Sequence, residues 1–546
     1  MDSSSKTGRN VGVALFVGVV LASLGWAAYT GHIWEDFYIT YRASKNLALG
    51  NGLVFTPGER LHTFTSPVQA LVPALIAWVT ACRSDEWVIW TYRVLGACAL
   101  GGCAVFLWRI FGRDRFPLVA AMACIGLFAF DAKTLDFTAS GMETPFLLFF
   151  MAWQAYLVFT EGSIWLLGAA WAGMMWSRPD AAVQIAAFYG ALLVFAPKGH
   201  SIRALVLRAV RAGAVAAVLY LPWLIWATWY YGSPIPHTVL AKGLDSPVGF
   251  GAVLRAIEEA PMKVVTFGVF QRVIFAPTYV GVGPMEDWGL TMHSVWRLLG
   301  LPVWCYWINP WGSPWARTVS LWLFLGSIYY VCAPTAYWYL PPYALVAMMG
   351  WGFIVSDLTD RLGVDGDLAR RPSAGTLRLI VPCLVLGAVA FQMGVSVLMA
   401  NTMRQQQTII EEGNRRPIGL WLRKTAAPGD TVFLECLGYI GYFSNLKMYD
   451  FPGLASEEVV AARRKLHTDG YGAIIREVKP TWLVLRPVET KEVNYEAPGL
   501  LSDDGSGEYR LARVYDQSAR VAALKGIYGR SFIAWDQTFY VYHRSR

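Results

Sequence analysis

Long apolar segments alternate with short polar connections along this chain up to about residue 400. The first segment, Val11 to Thr30, has about 20 residues, which suffices for a helix to cross a bilayer. Comparable segments follow at 87–108, 117–130, 144–160, 163–177, 181–196, 212–231, 293–310, 318–334, 337–355 and 378–399. This pattern predicts a polytopic α-helical membrane protein with roughly eleven transmembrane helices. Two stretches fit less well, and we expect Pro67–Thr80 and residues 250–290 to lie along the membrane interface.

The distribution of basic residues predicts the orientation of these helices. Arg109, Arg113 and Arg115 follow the second predicted span, and more Lys and Arg follow the sixth. Cytoplasmic loops carry the excess of basic residues, so the segments that follow the second and sixth spans belong inside. Residues 31–86 then form the first outer loop. The composition agrees, with 55% hydrophobic and 15% charged residues and a mean hydropathy of +0.39. The net charge of +8 is therefore explained by membrane topology and does not indicate binding of nucleic acid.

The pattern changes at about residue 403, where the apolar runs shorten to strand length. Thr431–Cys436, Thr481–Leu485, Leu511–Tyr515 and Phe532–Trp535 are predicted strands, and Ser456–Val478 is predicted to be helical. We therefore predict two domains. Residues 1–402 form a transmembrane module that includes the outer loop, and residues 403–546 form a soluble α/β domain on the extracytoplasmic side.

An acidic pair, Glu35–Asp36, lies a few residues after the end of the first apolar segment. Two carboxylates at the membrane face suit chemistry on a membrane-anchored substrate, although a polar cap of the helix would look the same. Further polar residues are predicted on the same face of the membrane. They are Tyr41, Arg42, His62, Glu143, Arg178, Asp180, His237, Thr238 and Lys242. The arginines and the lysine are candidates for holding a phosphate, and the acidic groups for a base or for anchoring hydroxyls.

Short motifs rich in acidic, aromatic and glycine residues occur from the first outer loop to the soluble domain. They are Trp34–Phe37, Tyr41–Arg42, Gly50–Phe55, Ser140–Thr144, Arg178–Asp180, Tyr230–Gly232 and Gly438–Ser444. Their order and placement resemble those of bacterial glycosyltransferases of the GT-C fold. The resemblance is greatest to the arabinofuranosyltransferases that use a polyprenyl-phosphate donor, of the mycobacterial terminal β-1,2 type.

The resemblance implies an inverting transferase of the bacterial inner membrane, with its active site on the periplasmic face. Asp36 corresponds to the general base, and Glu35 to its acidic neighbour. Arg42, Arg178, Lys242, His237 and Thr238 would bind the donor phosphate. Residues expected to contact the substrates are His62, Glu143, Asp180 and Tyr41. The implied partners are a polyprenyl-phosphate-linked sugar, a glycan, lipid or protein acceptor, and membrane lipid.

No cofactor is required by this chemistry, because a departing lipid monophosphate needs less charge neutralisation than a nucleotide diphosphate. A divalent metal at Glu35 and Asp36 stays open. Other readings also stay open: a mannosyl or other hexosyl transferase of the same fold, a transporter of lipid-linked sugars, and a structural assembly factor. A transporter would place its ionisable groups near mid-membrane in repeated halves. The polar clusters here map to outer ends, which favours the enzyme.

Overall fold

A computed structural model of the chain describes residues 3–112, 116–196, 201–244, 258, 300–332, 337–361, 372–502, 506–527 and 529–545. The described chain divides into two compact units. The helical unit comprises segments of 1–29, 93–223 and 249–400, and the α/β unit comprises 30–92, 224–248 and 401–546. The predicted outer loop thus belongs to the same compact unit as the C-terminal sheet, and the boundary at 402/403 stays a prediction.

Helices account for nearly all regular structure before residue 430. They are α1 (Ser3–Thr30), α2 (Glu35–Ala48), α3 (Pro67–Val79), α4 (Asp85–Phe111), α5 (Leu118–Ala121), α6 (Leu127–Ala129), α7 (Ala132–Ala139), α8 (Thr144–Phe159), α9 (Ile164–Ser177), α10 (Ala181–Val194), α11 (Ile202–Tyr231), α12 (His237–Gly243), α13 (Pro314–Cys332), α14 (Leu340–Arg361), α15 (Pro372–Gln405) and α16 (Arg416–Thr425). A π-helical turn, Met122–Gly126, joins α5 to α6, and a π-helical segment, Gln406–Arg415, joins α15 to α16.

Four stretches of helix in the described chain are long and apolar enough to cross a membrane: Gly8–Thr30, Asp85–Phe111, Ile202–Tyr231 and Leu379–Thr425. A fifth is counted if the bent pair Leu118–Ala129 and Ala132–Ala139 is one span. The predicted spans at 144–160, 163–177 and 181–196 are helical, but their helices are shorter. The chain is therefore helical with several membrane-length segments, and the count of eleven stays a prediction. The predicted interfacial loop at 250–290 and the start of the span at 293–310 lie outside the described residues.

The C-terminal part contains a six-stranded mixed sheet in the order β2-β1-β3-β6-β5-β4. β1 is parallel to β2 and β3, whereas β6 is antiparallel to β3 and β5. The strands are β1 (Thr431–Leu434), β2 (Lys447–Asp450), β3 (Trp482–Leu485), β4 (Leu501–Ser502), β5 (Tyr509–Asp516) and β6 (Thr538–Arg544). The helices between them are α17 (Leu437–Ser444), α18 (Glu457–Leu466), α19 (Tyr471–Val478), α20 (Pro487–Glu496), α21 (Ser518–Ala522) and α22 (Arg530–Trp535).

Both faces of the central strands are buried, since alternate residues of β1 and β3 enter opposite cores. Val432 and Leu434 contribute to one core and Phe433 to the other. The first core also takes Ile39 from α2 and Phe55 from the loop after it. The N-terminal segment thus contributes to the sheet's own hydrophobic core, which explains why it belongs to the α/β unit.

One prediction for this region is wrong. Phe532–Trp535 forms α22 and not a strand, because a four-residue apolar run does not by itself distinguish strand from helix. The stretch Ser456–Val478 is largely helical, as predicted, and forms two helices. His467 adopts a left-handed conformation with φ of 51° and ends α18, and α19 begins at Tyr471.

Candidate active site

The acidic pair forms the first turn of α2. Trp34 is extended and precedes the helix, and its carbonyl accepts a hydrogen bond from the Phe37 amide at 3.1 Å. Glu35 and Asp36 are the first two helical residues, where negative charge is favoured by the exposed amides of the helix N-terminus. The local sequence therefore explains both the start of α2 and the position of the two carboxylates.

The two carboxylates differ in their contacts. Glu35 accepts a hydrogen bond from the Gly438 amide at 3.0 Å, and its other oxygen lies 3.2 Å from Arg415. The side chain keeps only 17% exposure. Burial raises the pKa of Glu35 to about 8, with the opposing influence of Arg415 too small to compensate. Glu35 is thus held in place, and its raised pKa favours the protonated form more than in a free glutamate.

Asp36 is the less constrained member of the pair. Its carboxylate is partly exposed and makes no hydrogen bond or ion pair with any residue in the described part of the chain. Burial raises the pKa of Asp36, and the positive charge of Lys242 gives the largest opposing contribution. A partly exposed carboxylate with no partner and a raised pKa has the properties of a general base.

Arg415 organises a buried network around Glu35. Its guanidinium lies 2.8 Å from Glu411 and 2.8 Å from Asp536, in addition to the contact with Glu35. A second arginine, Arg486, lies 3.2 Å from the other oxygen of Asp536. Buried charges are tolerated only when they are paired and hydrogen-bonded, so these contacts fix the first turn of α2 against the sheet. Arg415 was not predicted from the sequence, because no spacing rule links residues so far apart.

Gly438 allows the close approach of α17 to α2. A Cβ atom at this position would collide with the carbonyl oxygen of Glu35. The glycine therefore lets its amide reach the Glu35 carboxylate. Gly438 was noticed in the sequence only as part of an aromatic and glycine-rich motif, without this role.

Helix α12 carries three of the predicted donor-binding residues. The amide of His237 donates to the carbonyl of His62 at 2.9 Å, which ties α12 to the loop before α3. The side chains of His237 and Thr238 are buried, and His237 Nε2 and Thr238 Oγ1 have no hydrogen-bond partner among the described residues. Burial lowers the pKa of His237 despite nearby backbone carbonyls, so the imidazole is neutral at pH 7. Lys242 lies in the last turn of α12.

His62 is also buried and neutral. Its ring stacks on Tyr231 with centroids 4.5 Å apart and planes within 7°. Burial lowers the pKa of His62 to about 4. The imidazole is therefore an uncharged group packed between Tyr231 and Phe64.

Arg42 and Tyr41 are occupied by contacts inside the α/β unit. The Arg42 guanidinium donates to the carbonyls of Gly441 at 2.8 Å and Leu446 at 2.9 Å and lies over the ring of Phe55. The Tyr41 hydroxyl donates to Asp85 at 2.8 Å. Both side chains fasten α2 to its neighbours, and their geometry lends no support to the predicted phosphate and substrate contacts.

The remaining predicted residues come together in the helical unit. Arg178, at the end of α9, donates to both oxygens of Asp180 at 3.0 Å and lies 3.5 Å from Glu143. Its guanidinium stacks on Tyr339 at 3.7 Å. Asp180 keeps 26% exposure, whereas Glu143 keeps 4%. The sequence analysis predicts all three residues on the outer face but does not pair Glu143 with the other two, and Tyr339 was not anticipated.

The sequence leaves open whether Glu35 and Asp36 bind a divalent metal. Within the described ranges, no group of three or more His, Cys, Asp or Glu side chains is arranged to hold a metal ion. Glu35 already contacts Arg415, which would compete with a cation. Metal dependence stays a prediction to be tested.

Comparisons with known proteins agree with the resemblance seen in the sequence. A terminal β-(1→2)-arabinofuranosyltransferase of Corynebacterium glutamicum is 28% identical over 250 residues, covering 41% of this chain and 35% of that protein. The enzyme of the same name from Mycobacterium tuberculosis is 28% identical over 257 residues, covering 42% and 38%. The chain thus spans little more than a third of the length of the curated relatives it matches. A family model described as a domain of unknown function, DUF8728, matches residues 401–542.

Solved structures show the fold. The archaeal oligosaccharyltransferase AglB from Archaeoglobus fulgidus, in complex with an inhibitory peptide and a dolichol-phosphate, superposes with a TM-score of 0.56 at 12% identity. The superposition covers 90% of this chain and 71% of AglB. ArnT from Cupriavidus metallidurans, bound to undecaprenyl phosphate, gives 0.51 at 15% identity and covers 97% of both chains. The predicted GT-C fold and the resemblance to arabinofuranosyltransferases are confirmed.

Proposed function

We propose that this chain is an inverting glycosyltransferase of the bacterial inner membrane. It moves a sugar, arabinofuranose, from a polyprenyl-phosphate donor to a cell-envelope glycan or protein on the periplasmic face. The observation that carries the proposal is the unpartnered carboxylate of Asp36 beside the anchored Glu35. The names of the two curated relatives support the sugar, and the lipid phosphates bound by AglB and ArnT support the carrier.

The reaction needs one base and one stabilised leaving group. Asp36 takes the proton of the acceptor hydroxyl as the hydroxyl oxygen attacks the anomeric carbon. The bond between that carbon and the phosphate oxygen breaks, and the lipid phosphate leaves with the bonding electrons. The raised pKa of Asp36 brings it nearer to the working pH, which favours proton uptake in the transition state.

Positive charge near the departing phosphate lowers the barrier. We assign this role first to Lys242, whose charge already acts on Asp36. Arg178 stays a predicted phosphate-binding residue, because its partner Asp180 is partly exposed. Glu35 acts as a positioning residue, since its contacts with Gly438 and Arg415 fix the turn that bears Asp36.

The test is sugar transfer from a farnesyl-type phosphoarabinose donor to an oligo-arabinose acceptor by purified full-length protein. We expect product from the wild type and a rate roughly 10²- to 10⁴-fold lower from Asp36→Asn. Glu86→Gln is the matched control, because Glu86 is an exposed acidic residue in the first turn of α4. It should leave the rate unchanged.

Each outcome is informative. Equal rates for wild type and Asp36→Asn would refute Asp36 as the base. Transfer only from a polyprenyl-phosphate hexose would refute the arabinosyl donor and keep the reaction class. No transfer from any lipid-phosphate sugar by folded protein would refute the proposed class itself.

A further inference from the structure

Two adjoining cavities in the helical unit belong to no part of the proposed active site. The larger has a volume of about 510 Å³ and lies among α1, the α5–α6 stretch and α15. The smaller has a volume of about 460 Å³ and lies between the beginning of α1 and the end of α4. Trp108 lines both cavities, so they meet at this side chain.

The larger cavity is an apolar groove. One side is a face of α1 made of small residues, including Ala14, Gly18 and Ala22, and the far side includes Leu386 and Val389. No charged residue of the described chain lines it. A Cβ atom at Gly18 would meet nothing within 4 Å, which shows that the groove is open there. Water gains no hydrogen bonds in such a groove, whereas a hydrocarbon chain fits it.

The smaller cavity gives this groove a charged mouth. Arg9 and Arg109 both line it, both are exposed, and no carboxylate of the described chain lines it. Trp108 closes the wall between the two helices, because its indole N–H donates to the carbonyl of Gly8 at 3.0 Å. Two arginines at the end of an apolar groove are complementary to an anionic amphiphile.

We infer that the two cavities together bind an anionic phospholipid. Its phosphate lies between Arg9 and Arg109, and an acyl chain follows the groove past Trp108 and Gly18. Basic pockets between transmembrane helices on the cytoplasmic side bind lipid head groups in this way, and the basic residues predict that orientation here. The site is independent of the proposed transferase function, and its test needs no sugar donor.

The experiment is native mass spectrometry of the purified full-length protein, titrated with phosphatidylglycerol or with phosphatidylcholine of the same acyl chains. The wild type should bind phosphatidylglycerol roughly tenfold more tightly. The double variant Arg9→Gln/Arg109→Gln should lose this preference. Arg203→Gln is the matched control, because Arg203 is an exposed arginine near the start of α11 that lines neither cavity. It should keep the preference.

A second variant tests the groove separately from its mouth. Gly18→Leu fills open space, so the protein should fold with an unchanged melting temperature. It should bind both lipids more weakly while keeping the preference for phosphatidylglycerol. Equal binding of the two lipids by the wild type would overturn the inference. So would a loss of preference in Arg203→Gln as large as in the double variant, or tighter binding of polyprenyl phosphate at the same arginines.

Discussion

Each unit of this protein has a buried arginine that holds acidic side chains, and the two arrangements differ. In the α/β unit, Arg415 contacts Glu35, Glu411 and Asp536, whose exposures are 17%, 2% and 8%. In the helical unit, Arg178 contacts Glu143 and Asp180, and Asp180 keeps 26% exposure. Arg415 is thus surrounded by enclosed carboxylates, whereas Arg178 shares its charge with one that water reaches.

The difference indicates that Arg415 and Arg178 have different roles. The charge of a guanidinium with three enclosed acidic partners is already neutralised, so Arg415 serves to position Glu35 and the first turn of α2. A guanidinium with a partly exposed partner can exchange that partner for another anion at a lower desolvation cost. We therefore expect Arg415 to have a structural role in the site, whereas Arg178 remains a candidate for binding phosphate.

Removing each arginine in turn should show the difference between the two arrangements most clearly. Arg415→Leu leaves three enclosed carboxylates without their cation, and we expect a loss of about 3–5 kcal/mol in the free energy of unfolding. Arg178→Leu should cost less, because water can solvate Asp180 in its place. Chemical unfolding of the purified protein in detergent measures both values.

Arg416→Leu is the control for this pair of variants. Arg416 is the next residue along the chain, and its ion pair with Glu412 is exposed, at 45% and 43%. Its loss should cost less than about 1 kcal/mol. If Arg415→Leu were no more harmful than Arg416→Leu, the network around Glu35 would not be a scaffold.

How much of this arrangement the sequence could predict depends on distance along the chain. The acidic pair was found because it lies a few residues after the end of an apolar segment, and β1 and β3 were found because their apolar runs are bounded by turn signals. The partnership of Glu35 with Arg415 was not found, since it depends on how the chain folds back on itself. Burial of Arg42 was missed for the same reason, because its carbonyl partners lie in and after α17.

A strand with a weak hydrophobic pattern could not be predicted from the sequence either. β2, Lys447–Asp450, carries only two buried residues and two polar ends, so no apolar run marks it. It forms an edge of the sheet, where one neighbour suffices. Residues that contact the sheet from elsewhere, such as Ile39 and Phe55, also leave no mark in the local pattern.

Gly438→Ala tests whether Glu35 is positioned by close approach of α17. The added Cβ meets the backbone of Glu35, so the first turn of α2 must shift, at a cost of about 1–3 kcal/mol. Transfer activity should fall together with stability. Gly413→Ala is the matched control, because its Cβ would meet only the flexible ends of Gln517 and Arg520. Equal effects of the two changes would exclude a special role for Gly438.

Glu35→Gln distinguishes the two acidic residues by pH. The folded-state pKa of Glu35 is about 8 against 4.5 for a free glutamate, so between these values the folded protein binds more protons than the unfolded chain. The contribution of this protonation to the free energy of unfolding is fully present below about pH 4.5. It falls as the pH rises, by up to about 1.4 kcal/mol per pH unit. Glu35→Gln should flatten this part of the profile, measured by melting temperature from pH 5 to pH 8. Its transfer rate should fall much less than that of Asp36→Asn.

Lys242→Met tests how the charge of Lys242 acts on Asp36, separately from its proposed role at the leaving phosphate. The charge of Lys242 favours the ionised form of Asp36 and thereby lowers its pKa. Without that charge the pKa of Asp36 rises further, so a larger share of the base is protonated at a given acidic pH. The acidic limb of the kcat/KM profile should therefore move to higher pH, whereas Lys242→Arg should leave it in place. A uniform drop at all pH values would instead assign Lys242 to the leaving phosphate only, because stabilising that group does not depend on whether Asp36 is ionised.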